Sequence, residues 1–290
     1  MNDINMQVKY ETKSGRSIGA ILIDSGRLSL EDAEQILHLS KTQNLRFGDA
    51  GIKLGLLTEV DIQRALAHQY DYSYLLKGDD SVSESLVAAY SPFSPQVEVL
   101  RTLRSQLMLR RFTGAPNSKM LSVVSPSRQE GRSYLAANLA IVFSQLGERT
   151  LLIDADMRNP CQHELFKLEN RNGLSSMLAG RDDFQAVQRV SNFVDLSILT
   201  SGPTPPNPQE LLGRSSLTAL LQNLNEKFDV ILVDTPPASE FADAHVMSAR
   251  TRAAMMLVRK NVSQLELVRQ QTESMVYSGI EVVGTVMSEF

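Results

Sequence analysis

Three segments carry residue types suited to holding a chain of phosphates. The first is S-P-S-R-Q-E-G-R-S, Ser125 to Ser133, which follows a β-branched run and leads into the helical stretch Y-L-A-A-N-L-A-I-V-F-S-Q-L. A strand, a loop closing at Gly131 and a helix opening at Ser133 would aim backbone amides and the positive end of a helix dipole at an anion. Ser127, Arg128, Gln129, Glu130, Gly131, Arg132, Ser133 and Tyr134 are therefore the candidate phosphate-binding residues. The loop departs from the usual pattern, which has an early glycine and then Gly-Lys-Ser/Thr; Pro126 stands at the early position and Arg132 at that of the lysine. The second segment, L-L-I-D-A-D-M-R-N-P, ends a strand-like run on Asp154 and Asp156, and the third, F-D-V-I-L-V-D-T-P-P, ends one on Asp234. A magnesium nucleotide requires hard oxygen ligands at the mouth of one sheet, and Ser133, Asp154 and Asp234 are the residues that could converge there.

The elements that would position them alternate along the chain. Short β-branched runs at Met120–Val124, Leu151–Ile153, Leu196–Leu199, Val230–Val233, Ala254–Val258 and Val282–Met287 are separated by longer helical segments. That order predicts a parallel sheet covered on both faces, with ligands at the strand C-terminal ends. If the second strand continues far enough, Asp154 and Asp156 share one side of it.

From about Ser94 onward the chain resembles the bacterial tyrosine kinases, a P-loop family that phosphorylates itself and regulates capsule and exopolysaccharide export. Ser125–Ser133 corresponds to its degenerate Walker A motif, Asp154–Arg158 to its Walker A′ and Ile231–Asp234 to its Walker B. Glu98-x-x-Arg101-x-x-Arg104 matches the family's oligomerisation helix, and Phe166, Gly173-Leu174 and Leu178-Ala179-Gly180 match the segment after Walker A′. G-P-T-P-P-N-P-Q-E-L-L, Gly202 to Leu212, matches its proline-rich loop. The resemblance implies an α/β fold, a P-loop sheet of the MinD/ParA type, mostly parallel and covered by helices. It implies ATP and Mg2+ as nucleotide and metal, Asp154, Asp156 and Arg132 as catalytic residues, and a homo-oligomer. It also implies a transmembrane polysaccharide chain-length or activator protein as partner, which would recruit a cytoplasmic chain to the inner membrane. Relatives end in a tyrosine cluster, whereas here the chain stops at V-M-S-E-F with Tyr277 the one tyrosine nearby. Two functions stay open: an ATP-dependent protein tyrosine kinase of exopolysaccharide chain-length control, or a nucleotide-binding switch that assembles on the partner without phosphoryl transfer.

The front of the chain repeats itself. Gly19, Ile23, Gly26, Leu28, Asp32 and Leu37 align with Gly48, Ile52, Gly55, Leu57, Asp61 and Leu66 at a shift of about 29 residues. Each copy reads as a short helix stopped by glycine, a hydrophobic residue, a Ser29 or Thr58 cap and a second helix. This repeat resembles the N-terminal domain of type II secretion and pilus-assembly ATPases, some of which bind cyclic di-GMP. Arg16, Gly19, Arg46 and Gly48 are the positions that resemblance offers to such a ligand, glycine opening the backbone and arginine supplying a forked donor. A packing or docking domain with no ligand is the other reading. The expected domains are thus a helical tandem-repeat domain over 1–78, a Ser-, Asp- and Pro-rich linker over 79–95 and the P-loop domain over 96–290.

Composition limits the remaining classes. The chain has 290 residues, 42% hydrophobic and 21% charged, which predicts a buried core. With 29 Lys plus Arg against 33 Asp plus Glu, the net charge of −4 gives no nucleic-acid polymer footprint. The single Cys161 makes neither an intrachain disulfide nor a metal cluster, and His38, His68, His163 and His245 stand in unrelated contexts. No stretch approaches the roughly 18 apolar residues of a membrane span.

Overall fold

The structure is a computed structural model and describes residues 17–69, 72–76, 78–115, 118–181 and 186–289. It divides into two units, Met1–Ser73 and Tyr74–Phe290.

In the first unit, α1 (Ile18–Asp24), α2 (Leu30–Gln43), α3 (Phe47–Lys53) and α4 (Glu59–Gln69) follow the repeat. Ser29 caps α2 through a reciprocal pair with Asp32, and Thr58 makes the same exchange with Asp61 ahead of α4. Ile21, Leu22, Leu28, Ile36, Ala50, Leu57 and Ala65 bury the core.

The second unit begins with α5 (Val87–Tyr90) and α6 (Pro95–Arg110). Then come β1 (Met120–Val124), α7 (Arg132–Ser144), β2 (Thr150–Asp154), α8 (Gln162–Leu165), α9 (Leu174–Leu178), β3 (Val187–Arg189) and β4 (Leu196–Leu199). It closes with α10 (Pro208–Leu212), α11 (Ser215–Lys227), β5 (Val230–Asp234), α12 (Asp243–Thr251), β6 (Ala253–Arg259), α13 (Leu265–Tyr277) and β7 (Glu281–Ser288). The strands form one sheet in the order β3-β4-β2-β5-β1-β6-β7, parallel except for β3. Strand periodicity sorts the apolar residues between two layers: Leu121, Val123, Leu152, Val230 and Leu232 pack with α5, α6 and α7, while Leu151, Ile153, Ile231 and Val233 pack with α9 to α12. β1, β2, β4 and β5 are buried throughout, as strands covered on both faces must be.

Two expectations are corrected. The segment 79–95 is no free linker: Val82, Leu86, Ala88 and Ala89 are buried in the second unit's core. The Ala88 amide donates to Asn138 Oδ1 (2.9 Å), and the Tyr90 hydroxyl donates to the carbonyls of Asp79 (2.7 Å) and Val82 (2.8 Å). Its Ser and Asp content is the exposed half of a strap laid across α7. The sheet also carries a seventh strand, β3, whose three residues Val-Gln-Arg leave no hydrophobic run to read and which pairs antiparallel at an edge.

Candidate functional site

Parallel pairing brings the three motifs together. β5 lies between β1 and β2, and the register sets Asp154 directly beside Asp234. The loop after β1 turns at Gln129 (φ 59°) and Gly131 (φ 94°), which lets the amides ahead of α7 face one cavity. Gln129 holds a left-handed conformation that costs a non-glycine residue about 1–2 kcal/mol, and its carbonyl accepts from Arg259 Nη1 at 3.0 Å.

A cavity of about 270 Å³ opens over this loop. Arg128 through Tyr134 line it together with Asp156, Arg158, Asn159, Cys161, Pro237 and Phe241. Ser127 is outside the lining; its amide donates to Glu130 Oε2 (2.7 Å), and the other Glu130 oxygen accepts from the Ser263 hydroxyl, so this fully buried carboxylate braces the loop. Arg158 makes a forked pair with the buried Asp243 (2.8 and 3.2 Å) and lies 4.1 Å over the Phe241 ring, which fixes one wall.

Arg132 does not behave as an extended lysine substitute. Its Nε donates to the Thr235 carbonyl (2.8 Å), and its Nη1 donates to the Ser127 carbonyl (2.7 Å) and to Ser125 Oγ. The guanidinium is thereby fastened to the loop and to the end of β5.

The two Walker A′ carboxylates part company, because β2 ends at Asp154. Asp154 is fully buried and accepts from three backbone amides, those of Asp156 (3.2 Å), Cys161 (3.2 Å) and Gln162 (3.0 Å). It is not among the residues that line the cavity. Asp156 does line the cavity; one of its oxygens accepts from the amides of Arg158 (3.2 Å) and Asn159 (2.9 Å), and the other has no hydrogen-bond partner among the described residues.

Behind the cavity floor sit Asp234, Asp154 and Gln162, all fully buried. Ser133 hydrogen-bonds Asp234, and Gln162 Nε2 donates to Asp234 Oδ2 (2.8 Å) and to the Ser133 carbonyl (3.1 Å). Burial pushes Asp154 well above the usual carboxylate range, and the Asp234 charge beside it adds to the shift. Asp234 is raised too, chiefly by burial, against the lowering effect of Ser133 and the Arg132 charge. Asp234 Oδ1 is buried with no partner. Two acids sharing one dry site, with an acceptor oxygen left over, form an oxygen-rich donor set that a hard cation would satisfy, so Ser133, Asp234 and Asp154 fit magnesium. Gln162 is the residue that sequence reading missed; no motif marks it, and only the backbone path after Asp156 folds it under Ser133. Cys161 lies on the cavity wall, where burial and the Asp234 charge push its thiol up to about 12, so it stays protonated.

On α6, Arg101 pairs with the exposed Glu98, while Arg104 Nη1 turns inward to the Val142 carbonyl at 2.7 Å. The triplet does not present a single outward face.

In the first unit the glycines have another explanation. A side-chain carbon on Gly19 would meet the Phe47 ring at 3.2 Å, and one on Gly48 would meet Ile62 Cδ1 at 2.8 Å. The openness they create is filled by helix packing. Arg46 is the exposed residue preceding α3, and Arg16 lies outside the described residues.

Comparison with known proteins agrees with this geometry. A family model for an AAA domain matches residues 130–266. The tyrosine-protein kinase YwqD of Bacillus subtilis is 32% identical over 207 residues, 71% of this chain and 86% of that protein. The chain belongs to the bacterial tyrosine kinase family. Two solved structures are similar to this chain: the kinase domain of Escherichia coli tyrosine kinase ETK has a TM-score of 0.66 at 29% identity, covering 70% of this chain and 79% of that one. The chimerical protein CapA2B2 has a TM-score of 0.67 at 31% identity, covering 76% and 93%. The expected mostly parallel, helix-covered P-loop sheet is therefore that of a bacterial tyrosine kinase.

Proposed function

We propose that the chain transfers the γ-phosphoryl group of ATP to a tyrosine hydroxyl, in the control of exopolysaccharide chain length, on a transmembrane chain-length protein that holds it at the inner membrane. The observation that carries the reading is the one cavity lined both by the loop residues Glu130 to Tyr134, Ser133 among them, and by Asp156. The amides from Glu130 to Tyr134 and the start of α7 bind the phosphates. Ser133 and Asp234 hold magnesium with Asp154 behind them; when bound, the ion neutralises charge on the β- and γ-phosphates. Asp156 orients the phenol and takes its proton as the tyrosine oxygen bonds to phosphorus and the bridge to ADP breaks. Asp154 positions Asp156 and Gln162 by gripping their amides. Glu98 and Arg101 are offered for contact with a second copy. Among the described residues no helix is long and apolar enough to cross a membrane, which agrees with recruitment by a partner.

The test is transfer of labelled γ-phosphate by the full chain to the cytosolic tail of that partner, compared with Asp156→Asn. Loss of a positioned base lowers the rate by about 10²–10⁴-fold. An unchanged rate in Asp156→Asn removes Asp156 from the chemistry, and absence of transfer by the wild-type chain under every partner condition removes the kinase reading. One observation favours the second reading, a nucleotide switch without transfer: both Arg132 nitrogens that hydrogen-bond within the protein do so to the loop and β5, leaving the lysine's charge contact to the γ-phosphate unmade. Such a contact is worth about 2.7–4 kcal/mol elsewhere. Nucleotide that changes the oligomeric state while no phosphotyrosine forms distinguishes that reading.

A further inference from the structure

Gln162 is placed where a hydrated cation would be read. Its backbone amide is held by Asp154, and its side-chain Nε2 donates to both Asp234 Oδ2 and the Ser133 carbonyl. Gln162 thus ties together all three residues of the candidate metal site, Asp234 and Ser133 through its side-chain amide and Asp154 through its backbone amide. Its Oε1 is buried and has no hydrogen-bond partner, and neither has the neighbouring Asp234 Oδ1. Both orphaned atoms are acceptors, and they belong to side chains joined by a 2.8 Å hydrogen bond. A buried acceptor left unsatisfied costs about 1–3 kcal/mol. Two in one place call for a species that brings donors only, and the waters around a divalent cation are that species, because magnesium keeps several of them when bound by a protein.

We infer that Gln162 is a positioning residue for magnesium: its Nε2 sets the Asp234 carboxylate and its Oε1 accepts from a metal-bound water. The inference rests on the nucleotide-site reading above. It assigns Gln162 a role in the magnesium-dependent part of nucleotide affinity and none in the magnesium-independent part, since its hydrogen bonds go to Asp154, Asp234 and the Ser133 carbonyl and to none of the loop amides.

Calorimetric titration of the full chain with ADP, in EDTA and in MgCl2, separates the two parts. In Gln162→Leu, affinity in EDTA stays at the wild-type value, while the tightening produced by MgCl2 falls by about 10–100-fold, the range for partners that orient metal ligands. Gln162→Glu tests the same idea through stability. A third carboxylate beside Asp154 and Asp234 lowers the thermal midpoint in EDTA, and MgCl2 restores it, which a mere packing residue would not show. Full magnesium tightening in Gln162→Leu overturns the inference alone. So does an equal loss of affinity in EDTA and MgCl2, or a Gln162→Glu midpoint that magnesium leaves low. No ADP uptake by the wild-type chain in either buffer overturns the nucleotide reading itself, and this inference with it.

Discussion

Asp61 in the first unit and Asp234 in the second are both buried carboxylates near a Ser or Thr hydroxyl, yet their surroundings act on them in opposite directions. Asp61 accepts from the Thr58 amide (2.9 Å) and hydroxyl (2.6 Å) and from a forked Arg27, 2.8 Å to each oxygen. The Arg27 hydrogen bond leads in holding it well below the usual carboxylate range. Asp234 has a second acid beside it, a glutamine in front of it and one oxygen without a partner, and burial raises it. The repeat unit answers its own charge; the P-loop unit leaves a charge to be answered from outside. A buried pair of acids with an acceptor oxygen left unpartnered is what a binding site for a cation looks like before the cation arrives.

Removing the Asp234 charge tests that difference most strongly. In Asp234→Asn the side-chain carbonyl can still accept from Gln162 while the repulsion with Asp154 disappears. The metal-free thermal midpoint should rise by about 2–4 °C, the shift that 1 kcal/mol produces in a domain of this size, and the magnesium-linked tightening of ADP should fall at least about tenfold. A midpoint that falls would make Asp234 a structural acceptor like Asp61.

The two units should also respond to pH with opposite signs. A carboxylate depressed in the folded state gives stability that is present above its unfolded value near 3.9 and lost as pH falls toward the folded value. Asp61 therefore makes the repeat unit lose hydrogen-exchange protection in α1 and α4 below about pH 4, and Asp61→Asn flattens that dependence while weakening the unit at pH 7 by about 1.5–3 kcal/mol, the scale of a charge-assisted hydrogen bond. Asp154 and Asp234, raised in the folded state, have the reverse effect. Their protonated forms favour the metal-free P-loop unit at low pH, and that advantage fades as pH rises from about 4 through their folded values. Magnesium should reverse this trend and leave the Asp61 profile unmoved. Parallel profiles in the two units would end the contrast.

Legibility in the sequence followed the same division. β1, β2, β4 and β5 were readable because strands covered on both faces are nearly continuous apolar runs, and the caps because Ser29 with Asp32 and Thr58 with Asp61 are local in the chain. The convergence of Ser133 and Asp234 followed from motif and sheet logic. What could not be read depends on where a side chain turns. Asp154 and Asp156 look equivalent as text, and only the end of β2 between them sends one inward and one to the cavity. Arg132 reads as a displaced lysine until the Thr235 and Ser127 carbonyls are seen to hold it. The strap over 79–95 hid its hydrophobics among serines and aspartates, and Gln162 has no sequence signal at all.

The smallest expected effect decides what the repeat glycines are for. Alanine is favoured over glycine inside a helix by about 1 kcal/mol, so if Gly48 merely kept the backbone open for a cyclic dinucleotide, Gly48→Ala would stabilise the ligand-free unit by about that amount. The structure opposes this gain. A Cβ there meets Ile62 at 2.8, 3.3 and 3.3 Å in a buried position, and forcing a methyl into a packed core costs about 1–3 kcal/mol. The net expectation is a loss of up to about 2 kcal/mol, read as reduced hydrogen-exchange protection in α3 and α4 of the full chain without any added ligand. Because Ile62 is the obstacle, the double variant Gly48→Ala with Ile62→Val should recover part of the loss, which a ligand-opening role gives no reason to expect. Increased protection in the single variant would instead free Gly48 from packing and return the first unit to the class of regions that await a partner.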